Sequence, residues 1–429
     1  MGLLGVVIMV ILLLCGMPVA FSMALVGYAG LLFLSNVTVA NHLAASIPYD
    51  IISDYNFCVL PLFLLMANIC FNMGFGKSLF DLTYKWIGRV PGGLFAASIA
   101  SCAMFGAVCA SILATSMTIG AVALPEMKRY NYDPTLGAAS VTAGGVLGIL
   151  IPPSSAYIVY GIMTEQSIGE LFISGIGPGI VLCLFFIAMV LVRVKLKPSL
   201  APIGPKFTTR EKLSSLANCI DIFLLIALSI GGLIVGWFTP TEAGGIGSVG
   251  AIILAIVRGR LTWESFKKTC LETVLGTGMI YLMLIGALIF NAFLTLSTLP
   301  MELANIVGSF HIHRALVLAA IILLYLIMGM FIDAMAMLLL TIPAFYPVVL
   351  KLGYDPIWFG TIIVIAMGMA AITPPVGMGV YVVSGLDRDV NMGKLFAACM
   401  PFLVIELVFI VVVTIFPEIV LWLPKVTMH

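Results

Sequence analysis

The chain has 429 residues, of which 62% are hydrophobic and 9% are charged, and its formal net charge is +1. About a quarter of the residues of a soluble globular protein are charged, so this composition excludes an ordinary water-soluble domain and indicates a membrane protein. Because the few basic residues are spread along the chain and do not form one face, they do not suggest a nucleic-acid partner.

The first apolar run, residues 3–34, is longer than the roughly 20 residues that a straight helix needs to cross a bilayer. Gly16-Met17-Pro18 interrupts it, so it is predicted to form either one tilted helix or two short ones. Further apolar stretches, such as 275–294, are long enough to span. The alternation typical of barrel strands is absent, so the chain is predicted to be an all-α polytopic membrane protein.

The positive charges predict which loops face the cytoplasm, because lysine and arginine near span ends favour that side. Seventeen of the 20 basic residues fall in five loops between apolar segments, and three lie on the opposite face. The loops 35–56 and 164–170 carry acids and neither lysine nor arginine, as expected of an outer face. The polar segment 193–218 is predicted to be a cytoplasmic linker between two halves.

The two halves contain the same landmarks at a fixed offset of 222 residues. The loop near Lys128 is predicted to be cytoplasmic and its counterpart near Lys351 to lie outside, so the halves are predicted to form an inverted repeat. The matching landmarks are Pro125 and Pro347, Tyr132-Asp133-Pro134 and Tyr354-Asp355-Pro356, and Pro152-Pro153 and Pro374-Pro375.

Each repeat is predicted to contain a re-entrant hairpin followed by a broken helix. The apolar stretches 92–125 and 315–347 must begin and end on the same side of the membrane, which a hairpin of two half-helices satisfies. Each following segment is interrupted by its proline pair, which removes backbone donors and pushes the preceding residue out of helical geometry. Unwinding there frees carbonyl oxygens suited to Na⁺ and exposes a helix N-terminus that attracts carboxylate.

These positions give the candidate binding residues. The repeat suggests two sodium sites made largely of backbone carbonyls, and the hydroxyl-rich first hairpin and the lone acid of the second suggest a substrate site. The predicted sodium-binding residues are Ala107, Gly148, Ile151, Ser154, Gly329, Ala370, Thr373 and Val376; the predicted substrate-binding residues are Ser111, Thr115, Ser155, Asp333 and Gly377.

Each candidate also has a structural interpretation. Hydroxyl residues in a hairpin often serve helix packing in lipid, and a proline pair can act only as a kink. Asp333 can form a structural hydrogen bond to a neighbouring helix, and Glu242 can cap the helix that follows it. Glu406, in the last span, is interpreted as a partner-facing or snorkelling acid and not as a ligand. The sequence contains no nucleophile and base constellation, so no enzymatic activity is expected.

Six motifs spread over nearly the whole chain are specific in combination: VLPLFLLMANI (59–69), GRVPGGL (88–94), GILIPPS (148–154), FTPTEAG (238–244), GMFID (329–333) and TPPVG (373–377). Together they resemble the large membrane subunit, the DctM-like protein, of tripartite ATP-independent periplasmic (TRAP) transporters. The resemblance implies an elevator-type protein of the bacterial inner membrane, with a scaffold and a mobile transport domain, and sodium-coupled uptake of an organic acid without another cofactor. It also implies a small DctQ-like membrane subunit and a periplasmic substrate-binding protein as partners.

With this resemblance, the chain divides into scaffold and transport segments. The predicted divisions are 1–91, scaffold helices with an interfacial helix at 77–91; 92–192, the first transport repeat; 193–218, the linker; 219–298, a second scaffold section with an interfacial helix at 259–274; and 299–429, the second transport repeat with the C-terminal span.

The chain departs from the family pattern at two places. Where the family's first hairpin usually reads Ser-Gly-Ser-Ser, this chain has Cys109-Ala110-Ser111-Ile112, and Gly379 replaces a common asparagine. The sequence does not identify the acid that is carried or the number of sodium ions. Two other functions stay open: a single-component sodium/dicarboxylate symporter of related fold, and a non-transporting membrane scaffold.

Overall fold

The structure is a computed structural model that describes residues 1–302, 305, 313–387 and 389–427. Every regular element in these residues is a helix, which confirms the predicted fold class. The predicted second repeat, 299–429, lies partly outside the described residues. The helices of the first half are α1 (Gly2–Leu14), α2 (Val19–Leu34), α3 (Val37–Ser53), α4 (Val59–Asn72), α5 (Phe75–Ile87), α6 (Gly93–Cys109), α7 (Ile112–Arg129), α8 (Pro134–Leu150), α9 (Ser155–Thr164) and α10 (Ile168–Leu196).

Seven described helices are long and apolar enough to cross a membrane, or eight if a bent pair, Thr209–Ala217 with Ile220–Ile234, forms one span. The helices of the second half are α11 (Thr209–Ala217), α12 (Ile220–Ile226), α13 (Gly232–Ile234), α14 (Pro240–Val257), α15 (Trp263–Leu296), α16 (Arg314–Gly329), α17 (Ala334–Lys351), α18 (Pro356–Ile372), α19 (Met378–Leu386), α20 (Met392–Ile415) and α21 (Glu418–Thr427).

The helix boundaries answer one question that the sequence left open and differ from one prediction. The first apolar run forms two helices, because Gly16 adopts a left-handed backbone with φ +87° and Pro18 precedes α2. In contrast, residues 259–274 do not form a separate interfacial helix. They lead into α15, a continuous helix of 34 residues, because no proline interrupts the sequence between its amphipathic start and its apolar remainder.

The helix boundaries repeat with the predicted offset. Helices α7 and α17 begin and end 222 residues apart, and so do α8 and α18. Almost every residue of α8 and α18 is buried, and the two helices pack against each other where Gly368 lies against Val146. The core of the molecule therefore consists of the two helices that precede the proline pairs, surrounded by the hairpins, α10 and α20. The opposite membrane orientation of the halves stays a prediction.

One ion pair joins the residue after α14 to the start of α12. Arg258, which follows α14, donates to Asp221 at the start of α12 through Nε at 2.6 Å and Nη2 at 2.5 Å, and its guanidinium lies 4.9 Å from the Phe75 ring centroid. The side chains are only 16% and 26% exposed, so solvent screens the pair weakly.

We expect Asp221→Ala to destabilise the protein by about 1–3 kcal/mol, because a largely buried guanidinium loses its carboxylate partner and keeps only the Asn218 carbonyl and the Phe75 ring as contacts. Thermal unfolding of the purified protein in detergent measures this loss. As a control, Asp81→Ala removes a more exposed i,i+4 pair with Lys85 and should cost about 0.5 kcal/mol or less. Equal melting temperatures for the wild type and Asp221→Ala would contradict the expectation.

Candidate functional site

The two hairpins are built in the same way at their tips. In the first, α6 ends at Cys109, Ala110 adopts a left-handed backbone with φ +54°, and the Ser111 hydroxyl caps α7 by accepting the Ala114 N–H at 3.4 Å. In the second, the Asp333 carboxylate caps α17 by accepting the Met335 N–H at 3.0 Å. Equivalent positions of the repeat therefore place an oxygen at the start of each returning helix.

Each proline pair breaks its helix, as predicted. The first helix ends at Leu150 and resumes at Ser155, and the second ends at Ile372 and resumes at Met378 after Gly377, whose φ is +30°. The Ser155 hydroxyl donates to the Ala110 carbonyl at 3.3 Å, so the first break is bonded to the first hairpin tip.

Both tips and both breaks meet around one cavity of about 280 Å³. Leu64 from α4 and Ile280 from α15, which lie in the segments predicted to be scaffold, contribute to the lining, and the rest comes from the hairpins and broken helices. The site is therefore formed mainly by the elements that repeat at the offset of 222, with two apolar side chains from other helices. Seven of the thirteen predicted binding residues line it: Ser111, Ser155, Gly329, Asp333, Ala370, Val376 and Gly377.

Four helix N-termini and one carboxylate determine the electrostatic potential in this cavity. The first residues of α7, α9, α17 and α19 all belong to its lining. A helix N-terminus carries unpaired N–H groups and roughly half a positive charge, so four of them favour an anion such as a carboxylate. Among the described residues that line it there is no lysine or arginine, and the only ionisable group is the Asp333 carboxylate.

Three hydroxyls lie in the protein interior around the first tip and the first break. Thr115, Ser116 and Ser154 are all fully buried, and their hydroxyl oxygens have no hydrogen-bond partner in the described residues. A Cβ built on Gly148 would come within 2.4 Å of the Thr115 hydroxyl and 3.0 Å of the Ser111 carbonyl oxygen, so these oxygens approach the α8 backbone closely. Unpaired buried oxygens of this kind suit a hard cation such as Na⁺.

The other six predicted binding residues do not line the cavity. Ala107, Gly148, Ile151 and Ser154 lie outside the cavity lining, and so does Thr115. In the second half, the Thr373 hydroxyl also lies outside and donates to the Met369 carbonyl at 2.7 Å, so its proton is used within its own helix. The two halves therefore differ: among the described residues, unpaired hydroxyls lie together beside a hairpin tip and a helix break only in the first half.

The structure shows the surroundings of two acidic residues outside the cavity, Glu242 and Glu406. Glu242 forms a capping box with Thr239, with its carboxylate accepting the Thr239 N–H at 2.8 Å, so the capping interpretation applies. The interpretation of Glu406 as a partner-facing or snorkelling acid is wrong, because its side chain is fully buried. Apart from Lys394 and Glu406, helix α20 is apolar on every face, so this lone acid was the one indication of which face points inward.

Sequence reasoning missed the part played by Ala110 and by the scaffold residues Leu64 and Ile280. Ala110 occupies the left-handed position of the tip, where the resembled family usually has glycine, so the departure from the family pattern already marked the place. Leu64 and Ile280 are ordinary apolar residues in apolar helices, and only tertiary packing brings them to the cavity.

Comparisons with known proteins agree with this architecture. Residues 6–419 match the family model for the tripartite ATP-independent periplasmic transporter, DctM component. The chain is 33% identical over 378 residues, 88% of each chain, to the C4-dicarboxylate TRAP transporter large permease protein DctM of Pseudomonas aeruginosa. It is 31% identical over 415 residues, 96% of each chain, to the sialic acid TRAP transporter large permease protein SiaM of Vibrio cholerae. The crystal structure of the Alcanivorax borkumensis YdaH transporter is similar in fold, with a TM-score of 0.61, 15% identity and coverage of 85% and 86% of the two chains.

Proposed function

The chain belongs to the DctM family of tripartite ATP-independent periplasmic transporters, and from this premise we propose that it couples organic-acid import to sodium entry. It is a multi-pass inner-membrane protein. Its relatives named for C4-dicarboxylate and for sialic acid are about equally similar, so the proposed substrate class is an organic acid with at least one carboxylate.

The observation that carries the proposal is the convergence of four helix N-termini on one cavity. These ends supply N–H donors for a carboxylate. The Asp333 carboxylate in the same lining repels that anion, so a bound cation is needed to balance the two negative charges. The unpaired hydroxyls of Thr115 and Ser154 and the carbonyl oxygen of Ser111 are the groups we propose for the sodium site of the first half.

Coupling follows if sodium orders the hairpin tip. Ser111 belongs both to the cap of α7 and to the cavity lining, so a cation on its carbonyl oxygen fixes the N–H groups that meet the substrate. A ligand shifts a conformational equilibrium only by binding one state more tightly than the other. We propose that the repeat helices then move past the scaffold as one body, since the scaffold provides only Leu64 and Ile280 to the lining.

The proposed partners are a small DctQ-like membrane subunit and a periplasmic substrate-binding protein. The family description is of a tripartite transporter of which DctM is one component, which supports two further components. We propose that the binding protein delivers the acid and that the small subunit braces the scaffold.

Reconstitution in proteoliposomes tests this function. With the small subunit in the membrane and the binding protein outside, we expect uptake of the acid to require an inward Na⁺ gradient. An equal K⁺ gradient is the control, and uptake that proceeds equally well with K⁺ would contradict sodium coupling. Uptake by this chain alone would instead support the single-component symporter, and absence of flux with the partners and every acid that the binding protein binds would support a scaffold.

A further inference from the structure

Glu406 is a carboxylic acid enclosed in the helical core at a place that the proposed transport site does not use. Its side chain is fully buried, and neither of its oxygens has a hydrogen-bond partner in the described part of the chain. One turn before it, Phe402 packs edge-on against Phe186 of α10, with ring centroids 5.3 Å apart. One turn after it, Phe409 packs edge-on against Phe185, at 5.7 Å. The carboxyl therefore lies between two aromatic contacts.

No positively charged side chain on the described helices packed against α20 forms an ion pair with this carboxyl. Helices α8 and α18 contain no ionisable side chain, and no described cation lies within salt-bridge distance of Glu406. On α10 the ionisable groups are Cys183 in its middle and Glu170, Arg193 and Lys195 near its ends. Helix α19 carries Tyr381, and α21 carries Glu418 and Lys425, which pair with each other at 2.8 Å. Helix α20 itself also contains Lys394 and Cys399.

An unpaired ionised carboxylate in such surroundings costs far more free energy than a neutral carboxylic acid. The conformation seen here is therefore compatible with the neutral form of Glu406, in which one oxygen carries a proton. Ionisation requires water, a cation or a different packing of α20. Because α20 packs on α8 and α18, the helices that lead to both breaks, repacking it acts on the transport site.

A second contact joins α20 directly to that site. A Cβ built on Gly377, at the second break, would come within 2.7 Å of the Phe396 ring, so α20 lies close against this part of the cavity lining. A displacement of α20 that lets Glu406 ionise therefore also changes the support of the second break.

We propose that Glu406 is a proton-binding site whose occupancy is linked to the conformation of the transport site. The proton comes from water and forms an O–H bond with one carboxylate oxygen, and the same bond breaks when the site releases it. No other bond changes. The conformation described here holds one more proton than a conformation with ionised Glu406, so acid favours it and alkali disfavours it. This site is separate from sodium coupling and does not depend on it.

Infrared difference spectroscopy of the purified full-length protein with its small subunit tests the proposal without transport. Titration from about pH 5 to about pH 9 should remove the carbonyl stretch of a protonated buried carboxyl. The band should be absent from Glu406→Gln and present in Glu418→Gln, a matched change of an exposed acid. Glu406→Met provides a second variant without the carboxyl if Glu406→Gln folds poorly.

Uptake measured at a fixed Na⁺ gradient tests whether protonation of Glu406 is linked to the transport site. In the wild type, the apparent affinity for the acid should fall as pH rises, by at most about tenfold per pH unit for one linked proton. Glu406→Gln should keep the acid-pH affinity at every pH. A band that persists in Glu406→Gln, or a band that does not respond to pH, would overturn the proposal, and so would the same pH dependence of affinity in both proteins. If sodium coupling fails, the infrared titration still tests the proposal, because it does not involve transport.

Discussion

Gly148→Ala is expected to lower the apparent affinity for Na⁺ in uptake about 10–100-fold, the range seen when groups that orient a metal ligand are disturbed. The new methyl group would lie 2.4 Å from the Thr115 hydroxyl oxygen and 3.0 Å from the carbonyl oxygen of Ser111. Neither distance is compatible with an unchanged structure, so the hydroxyl must turn away or the first hairpin must shift. Both outcomes separate the oxygens that we propose for sodium.

Two sets of variants separate this effect from a general disturbance. Gly278→Ala places the same methyl group on α15, where nothing lies within 4 Å, and should leave the Na⁺ dependence unchanged. Thr115→Ala removes the hydroxyl without a clash and should weaken Na⁺ binding, while Thr115→Ser should keep it. Wild-type Na⁺ affinity in both Gly148→Ala and Thr115→Ala would exclude the first-half site. Sodium titrations of uptake in proteoliposomes provide the measurement.

Much of the fold was predictable because proline acts locally. A proline pair interrupts a helix whatever surrounds it, so the offset between Pro152-Pro153 and Pro374-Pro375 located both breaks. The N-terminal run was undecided for the opposite reason. Gly16 and Pro18 are compatible with a kink or a break, and the left-handed backbone that Gly16 adopts, with φ +87°, makes it a break.

The site was predictable only in part, because side-chain direction depends on packing. Asp333 and Ser111 were located by the repeat, and both line the cavity. The burial of Glu406 was missed although a lone carboxylate in an apolar span usually faces the protein interior, which is the rule that selected Asp333. The asymmetry between the halves, in contrast, was visible in the sequence, because the counterparts of Thr115, Ser116 and Ser154 at the offset of 222 are Met337, Leu338 and Val376, which carry no hydroxyl.

The two roles of Asp333 can be separated by substitution. Its carboxylate caps α17 through the Met335 N–H and also faces the cavity as its only ionisable group. Asp333→Asn keeps a good cap but removes the charge, whereas Asp333→Ala removes both. If the charge holds a cation beside the substrate, uptake in both variants should fall by about 10–100-fold or more, as expected when a charged hydrogen-bond or ion contact worth about 1.5–3 kcal/mol is lost.

The matched control is Asp355→Asn, because Asp355 caps α18 in the same way, accepting the Trp358 N–H at 2.9 Å, and does not line the cavity. It should transport normally. Assembly with the small subunit, measured by co-purification, should be retained in all three variants. If Asp333→Asn transports like the wild type while Asp333→Ala fails, the carboxylate is only a helix cap. In that case transport would not depend on the charge of Asp333, and balancing that charge would no longer be a reason for a bound cation.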